Sequence, residues 1–264
     1  MPDAFLLDLD GTLYASGAAV PGAAAAVAAL RARGVPVRFL TNTTTVPRSA
    51  LAARLMGYGF PVSVDEIVTP LRSAAAILRR AGIRTVVPFL PKAALEDLAG
   101  FELVAAATFT SPVSPASAAV LVGDLGQDWN FALMQSAFEW LSAGARFLAP
   151  SRDRYFQGKQ GLTLDAGPFV AALEYATGRE AEVTGKPSEG YFRQALETLG
   201  QGVAPERVAM VGDDLWSDVQ GAQRAGMQGW LVRTGKFRLP ALEESGIRPD
   251  RILDSVAALG TLAS

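Results

Sequence analysis

The 264-residue chain contains no cysteine and no histidine. The first absence excludes disulfides, zinc–thiolate sites, iron–sulfur clusters and a cysteine nucleophile. The second excludes a Ser-His-Asp triad, a phosphohistidine intermediate and any histidine-ligated haem or metal. Acid–base chemistry must therefore come from Asp, Glu, Lys or Tyr. A nucleophile must be an oxygen or a lysine amine, and a metal must accept oxygen ligands, which favours Mg2+ or Mn2+ over zinc. Surplus charge is missing too: 24 basic against 26 acidic residues leave −2, so no nucleic-acid-binding stripe is expected. Met1–Asp10 carries three aspartates and neither Lys nor Arg, the wrong pattern for a secretory leader. The uncharged run Ala18–Leu30 contains Pro21 and Gly22 and is too short to span a bilayer. The expectation is a cytoplasmic protein with no membrane and no nucleic-acid partner.

What the chain has is apolar residues, 50% against 19% charged, which suits a packed rather than a disordered chain. Its length fits one large domain or two modest ones. Apolar runs and helical patterns alternate. Ala4–Leu9, Val35–Leu40 and Glu66–Val68 read as strands, with helices over Pro21–Arg33 and Pro47–Met56 between them. That order implies right-handed crossovers and an open parallel sheet. A second alternation follows, with strands at Thr85–Leu90, Ala118–Gly123, Arg146–Ala149 and Ala181–Thr184, and helices at Leu71–Ala81, Lys92–Leu98, Phe131–Ala143 and Phe169–Thr177. A third has a helix at Glu189–Gly200, a strand at Val208–Gly212, a helix at Ser217–Ala225 and a strand at Gln228–Val232.

Four places put polar side chains where an apolar strand ends, and ligands of open α/β sheets bind at those carboxyl ends. The first is Asp8-Leu9-Asp10-Gly11-Thr12; Asp10 or Thr12 caps a helix there, or the two carboxylates face a cleft. The second is Thr41-Asn42, which either bonds its own backbone or lines the same cleft. The third is Lys186, within Gly185-Lys186-Pro187. It is a solvated turn lysine, or a cation beside a helix N-terminus that favours anions. The fourth is Gly212-Asp213-Asp214 with Asp218; these acids cap the next helix or hold a hard divalent cation. Together they form an inventory for phosphoryl transfer: a carboxylate nucleophile, a hydroxyl donor, a lysine and metal-binding carboxylates.

Those four motifs, in that order, resemble the haloacid dehalogenase-like (HAD-like) hydrolase superfamily, mostly phosphatases. The 143 residues between Asn42 and Lys186 resemble subfamily IIA, in which a large α/β cap is inserted between the second and third motifs. Thr41-Asn42-Thr43-Thr44, Leu164-x-x-Gly167-Pro168-Phe169 and Ala172–Thr177 look most like the phospholysine phosphohistidine inorganic pyrophosphate phosphatase group. The resemblance implies a Rossmann-like parallel-sheet core over residues 1–78 and 182–264, and an inserted cap over 79–181. It implies Asp8 as nucleophile and Asp10 as general acid–base. Thr41, Asn42 and Lys186 would bind phosphate. Mg2+ would be held by Asp8, the Asp10 carbonyl and Asp213, with Asp214 and Asp218 behind them. Asp10 must then have its pKa raised above the ordinary ~3.9. The expected reaction is hydrolysis of a small phosphorylated metabolite or pyrophosphate through an aspartyl-phosphate. The alternatives are a phosphotransferase on the same core and a non-catalytic binding protein.

Substrate choice falls to the cap, because the core groups recognise only phosphate. The segment Ser151–Lys159 mixes cations with aromatics, so Arg152, Tyr155 and Lys159 are candidate substrate contacts; the alternative is a solvated loop. Asp124 and Asp128 could hold a second metal, but the expectation is that they cap the helix starting near Asn130. Trp129, Phe131, Phe138 and Trp140 are expected to serve core or cap-to-cap packing. The cap helices are a candidate homodimer face.

Overall fold

The computed structural model describes residues 1–106, 114–158, 161–200 and 202–262. The chain forms two compact units: Met1–Thr41, Arg48–Val68 and Lys186–Ser264 make up the first, and Asn42–Pro47 with Thr69–Gly185 the second.

The first unit is a six-stranded parallel sheet in the order Arg251–Leu253, Gln228–Val232, Val208–Gly212, Ala4–Asp8, Val37–Leu40, Ile67–Val68. Its central strands, AFLLD and VAMVG, are buried along their whole length, as strands covered on both faces must be. Leu6, Leu40, Tyr191, Phe192 and Met210 share one apolar cluster. Chain order reverses at Ala4–Asp8, which has later strands on one side and the second strand on the other. That is a topological switch point, where an open sheet leaves a crevice at its carboxyl ends. Register fixes what meets there. Asp8 lies opposite Leu40, so Thr41 is one step beyond. Leu7 lies opposite Val211, so Gly212 and Asp213 follow on the other side.

The second unit is a five-stranded parallel sheet in the order Glu182–Val183, Arg146–Ala149, Ala118–Val122, Thr85–Phe89, Glu102–Leu103. One cluster, including Val120, Trp140 and Phe147, covers one set of its side chains. Another, including Leu71, Leu78, Val86 and Leu121, covers the other. The second cluster explains a shift from the sequence expectation. The helix Pro70–Arg80 falls almost wholly within the stretch 1–78 expected to belong to the core. Its Leu71, Ala74, Ala75 and Leu78 instead pack with Val86, Leu121 and Leu148, so it groups with the second unit.

Other differences are local. Asn130 itself caps Phe131–Ser142, accepting from Leu133 N at 3.1 Å, while Asp124 accepts from Gly126 N at 2.7 Å in a turn of its own. Trp129 stacks between Phe89 and Phe169, at 5.6 and 4.8 Å. Phe131 is 82% exposed, so of the two packing roles expected for it the core one is excluded. Residues 151–158 are not all loop: Tyr155–Gly158 pairs antiparallel with Gly161–Leu164. The edge strand Arg251–Leu253 and the helix Leu239–Ser245 have no counterpart in the sequence reading.

Candidate active site

At the carboxyl end of the first sheet, Lys186 Nζ donates to Asp8 Oδ1 at 2.5 Å and to Asp218 Oδ1 at 2.6 Å. Asp8, Lys186, Asp213 and Asp218 are between 0 and 6% exposed. Carboxylate oxygens of Asp8, Asp213 and Asp218 lie within 4.8 Å of one another. Three buried carboxylates face one buried ammonium, a surplus of two negative charges if all are ionised.

The loops bring these groups close in identifiable ways. Gly11 (φ +87°) and Gly235 (φ +56°) take left-handed conformations, and a Cβ on either would run into the Asp213 carboxylate. Two glycines are therefore needed for both turn and approach. The backbone N–H of Lys236 then donates to Asp213 Oδ2 at 2.6 Å. Asp214 caps the next turn, accepting from Trp216 N and Ser217 N at 3.0 Å. That turn is π-helical over Leu215–Gln220, with Val219 N bonded to Asp214 O five residues back. Such wide turns recur at functional sites, and this one carries Asp218. Both Asp218 oxygens are engaged, one by Lys186 and the other by Asp214 N at 3.1 Å.

Electrostatics follow from the geometry. Burial opposes the charged form of Lys186, but Asp218 and Asp8 outweigh it and hold its pKa well above the ordinary lysine value. Burial, then Asp8 and Asp218, pushes Asp213 up, against the Lys236 N–H. Burial also raises Asp218, with Lys186 opposing and Asp8 and Asp214 adding. Asp10 reaches solvent, yet the surrounding protein desolvates its carboxyl, and Asp8 beside it raises the pKa further against Lys236 and Arg54. Asp214 moves the other way: burial would raise it, but Lys236 and the capped N–H groups win.

Thr41 is buried at the end of its strand, and its backbone meets the hydroxyl of Tyr191. Asn42, the next residue, belongs to the second unit, where its Nδ2 lies 3.4 Å from Asp153 Oδ2. Arg152 pairs with Glu174 at 2.5 Å, and Tyr155 is exposed on its strand. Lys159 lies outside the described residues.

The donor set fits a hard divalent cation. Asp8 Oδ2 is buried with no hydrogen-bond partner among the described residues, the ligand atoms are all oxygens, and the negative surplus of the ionised carboxylates requires compensation.

Known proteins match this chain over nearly its whole length. Residues 5–103 match the family described as haloacid dehalogenase-like hydrolase, and residues 183–259 the one described as HAD-hydrolase-like. Bovine haloacid dehalogenase-like hydrolase domain-containing protein 2 is 42% identical across 93% of this chain and 89% of its own. The chain belongs to the haloacid dehalogenase-like hydrolase family. The human phospholysine phosphohistidine inorganic pyrophosphate phosphatase is 36% identical across 96% of this hydrolase and 90% of its own chain. A p-nitrophenyl phosphatase from Archaeoglobus fulgidus superimposes with a TM-score of 0.88 at 30% identity, covering 99% of both chains. A glycerol phosphate phosphatase from Mycobacterium tuberculosis, solved with magnesium, gives 0.83 at 28% identity, covering all of this chain and 78% of its own.

These relatives bear out the expected family and subfamily IIA. Identity to the domain-containing protein 2 group is higher than to the phospholysine phosphatase group singled out from short motifs. The sequence reading passes over Tyr191 and Lys236. Lys236 acts on Asp213 through its backbone, which no side-chain pattern reveals, although Gly235 before it is a usable signal of close approach.

Proposed function

We propose that this hydrolase is a magnesium-dependent phosphatase that works through an aspartyl-phosphate on Asp8. The observation that carries the reading is the Asp8 carboxylate: Oδ1 is held by Lys186 while Oδ2 is buried and uncommitted. A carboxylate fixed by one oxygen, with lone pairs free on the other, is a positioned nucleophile. Asp8, the Asp10 carbonyl and Asp213 would hold Mg2+, which supplies positive charge against the phosphate oxygens. Asp218, with both oxygens engaged, instead holds Lys186.

In the proposed reaction Asp8 attacks phosphorus while the bond to the leaving atom breaks, an oxygen in an ester or pyrophosphate and a nitrogen in a phosphoramidate, and Asp10 gives that atom its proton. Its raised pKa keeps Asp10 protonated further toward neutral pH than a free aspartate. Asp10, now a carboxylate, takes a proton from water as the water attacks phosphorus. The Asp8–phosphorus bond breaks and inorganic phosphate leaves. Thr41 and the backbone at Asn42 bind phosphate oxygens, and Lys186 balances the charge.

The substrate class we propose is a small phosphate ester, phosphoramidate or pyrophosphate. The test is release of inorganic phosphate from a panel including p-nitrophenyl phosphate, glycerol phosphate, phospholysine and pyrophosphate, with Mg2+ and with chelator. Asp8→Asn should abolish release while leaving the fold intact; retained turnover overturns the assignment. Phosphate appearing on an added alcohol instead of in solution would favour a phosphotransferase. We further propose a homodimer through the second unit, where Phe131 and Tyr175 are 82% and 93% exposed. Sedimentation of Phe131→Asp against wild type tests it.

A further inference from the structure

Tyr191 is fully buried, its ring packed with Leu6, Leu40 and Val68 and edge-on to Phe192 at 6.0 Å. Packing alone would be served by phenylalanine; a buried phenolic hydroxyl must also find partners. This one lies 2.6 Å from Val68 O and 3.0 Å from Thr41 O, and accepts from Thr41 N at 3.3 Å. A phenol has one proton, so the shorter contact to Val68 O takes most of it and Thr41 O shares the rest.

The location is specific. The direct strand bond from Thr41 N to Val68 O is stretched to 3.4 Å, beyond the usual range. Pairing between Val37–Leu40 and Ile67–Val68 therefore opens where the Tyr191 oxygen enters. Thr41 and Val68 are each the last residue of the first unit before the chain crosses to the second, and Lys186 is the residue at which it returns. Tyr191 follows Lys186 by five positions, on the helix Glu189–Glu197. One hydroxyl thus joins the lysine-bearing segment to the strand end that presents Thr41.

We propose that the Tyr191 hydroxyl is a positioning group for phosphate recognition, fixing the backbone of Thr41 so that its hydroxyl faces the phosphate held at Asp8. The inference rests on the phosphate-binding role proposed for Thr41 and deepens it. Tyr191 touches no substrate and acts through Thr41.

The experiment measures inorganic phosphate binding to the Mg2+-loaded protein by calorimetry, together with KM and kcat for p-nitrophenyl phosphate. Tyr191→Phe keeps the ring and removes the hydroxyl. Loss of one positioning hydrogen bond should raise the phosphate Kd and KM together by about tenfold, with kcat changed less than ~3-fold. Thr41→Ala should weaken phosphate binding by itself. Adding Tyr191→Phe to it should then change Kd by less than about twofold, because coupled residues do not add. A variant that only unfolds at lower temperature, with Kd and KM at wild-type values, overturns the proposal. So does a full tenfold effect retained on the Thr41→Ala background. If Tyr191→Phe does not fold, Tyr191→Met, which fills the slot flexibly, is judged by the same outcomes. Wild-type protein that binds phosphate without turnover refutes the phosphatase reading and leaves the Kd comparison to judge Tyr191. Wild-type protein that does not bind phosphate refutes both.

Discussion

Replacing Lys186 by methionine keeps most of the side-chain volume and removes the buried cation of the site. Asp8 Oδ1 loses its partner at 2.5 Å and Asp218 Oδ1 its partner at 2.6 Å, while Asp218 Oδ2 keeps the Asp214 N–H. Breaking a buried pair from one side costs about 3–5 kcal/mol, a large share of the ~5–15 kcal/mol that stabilises a domain. The corresponding drop in Tm is about 6–20 °C. The sign of its pH dependence is fixed. Carboxyls left without a cation have folded-state pKa values above the ordinary ~3.9. Such groups contribute stability below their unfolded pKa and lose it as pH rises through the folded value. The deficit of Lys186→Met should therefore be smallest near pH ~4–5 and largest near pH ~8. Lys186 itself cannot produce this trend, because a cation with a raised pKa keeps its full contribution at every pH below the ordinary lysine value, which includes this whole window. The assay is thermal unfolding with chelator at about pH 5 and about pH 8, with Lys236→Met as control. Lys236 also pairs with an aspartate, at 3.1 Å, but is 67% exposed, so its pair is worth at most ~1 kcal/mol. Adding Asp8→Asn to Lys186→Met should restore part of the loss. Equal stabilities for the two lysine variants at the alkaline end, or a deficit that grows toward acid, would refute the charge argument.

Three further outcomes follow from the same geometry. Mg2+ at about 100 times its Kd should stabilise the wild type by about 2.7 kcal/mol, more at mildly alkaline than at mildly acid pH because raised carboxyls such as Asp213 must lose protons to bind; Asp213→Asn should abolish most of it in a thermal-shift assay. Asp10→Asn should lower kcat by roughly 10^2–10^4-fold and remove the alkaline limb of its pH profile, since an acid with raised pKa loses its catalytic proton as pH rises. Gly235→Ala should cost about 1–3 kcal/mol and weaken Mg2+ binding measured by calorimetry, because its Cβ would displace the Asp213 carboxylate.

Much of this site is legible because apolar strands ending in acids are a strong pattern. Val208–Gly212 and Arg146–Ala149 appear at the bounds read from sequence, since each is a short apolar run closed by a turn residue. Asp8 and Asp213 can be gathered because a parallel sheet puts strand ends on one edge; Lys186, expected to follow a strand of that same sheet, instead follows Glu182–Val183 of the second unit's sheet. Asp218 can be placed in the fourth motif, but its pairing with Lys186 cannot be read. Asp218 reaches it through a π-helical turn, a wide loop that ordinary helix periodicity does not anticipate. Tyr191 is invisible for a different reason: one aromatic at helical spacing reads as core, and here it is core, with only its oxygen at work. The strand Arg251–Leu253 escapes notice because only two apolar residues follow its arginine, too few to show a strand pattern; Arg251 lies over the Trp230 ring at 4.7 Å, covering apolar surface with a cation. Asn42 marks another limit. Adjacency to Thr41 places both in one motif, but contacts, not sequence distance, decide which unit a side chain joins.

The charge balance also bears on whether the site is only a scaffold. Replacing buried ionic groups with well-packed apolar ones is often neutral or stabilising, so a chain that needed only the fold would gain nothing from three buried carboxylates around one lysine. The surrounding turns do not relieve the surplus. Gly11 and Gly235 bring backbone closer to Asp213, Asp218 spends both oxygens on fixing Lys186 and the turn at Asp214, and Asp8 keeps an oxygen with no protein partner. Each feature preserves negative charge at one point while holding its geometry still. Under the proposed function a divalent cation would offset that charge, and an incoming phosphate would then meet a site whose net charge no longer repels it. Geometry fixed by the chain and charge completed by the ligand is the arrangement that displacement by Asp8 requires, since a carboxylate can approach an anionic phosphorus only when positive charge stands beside both.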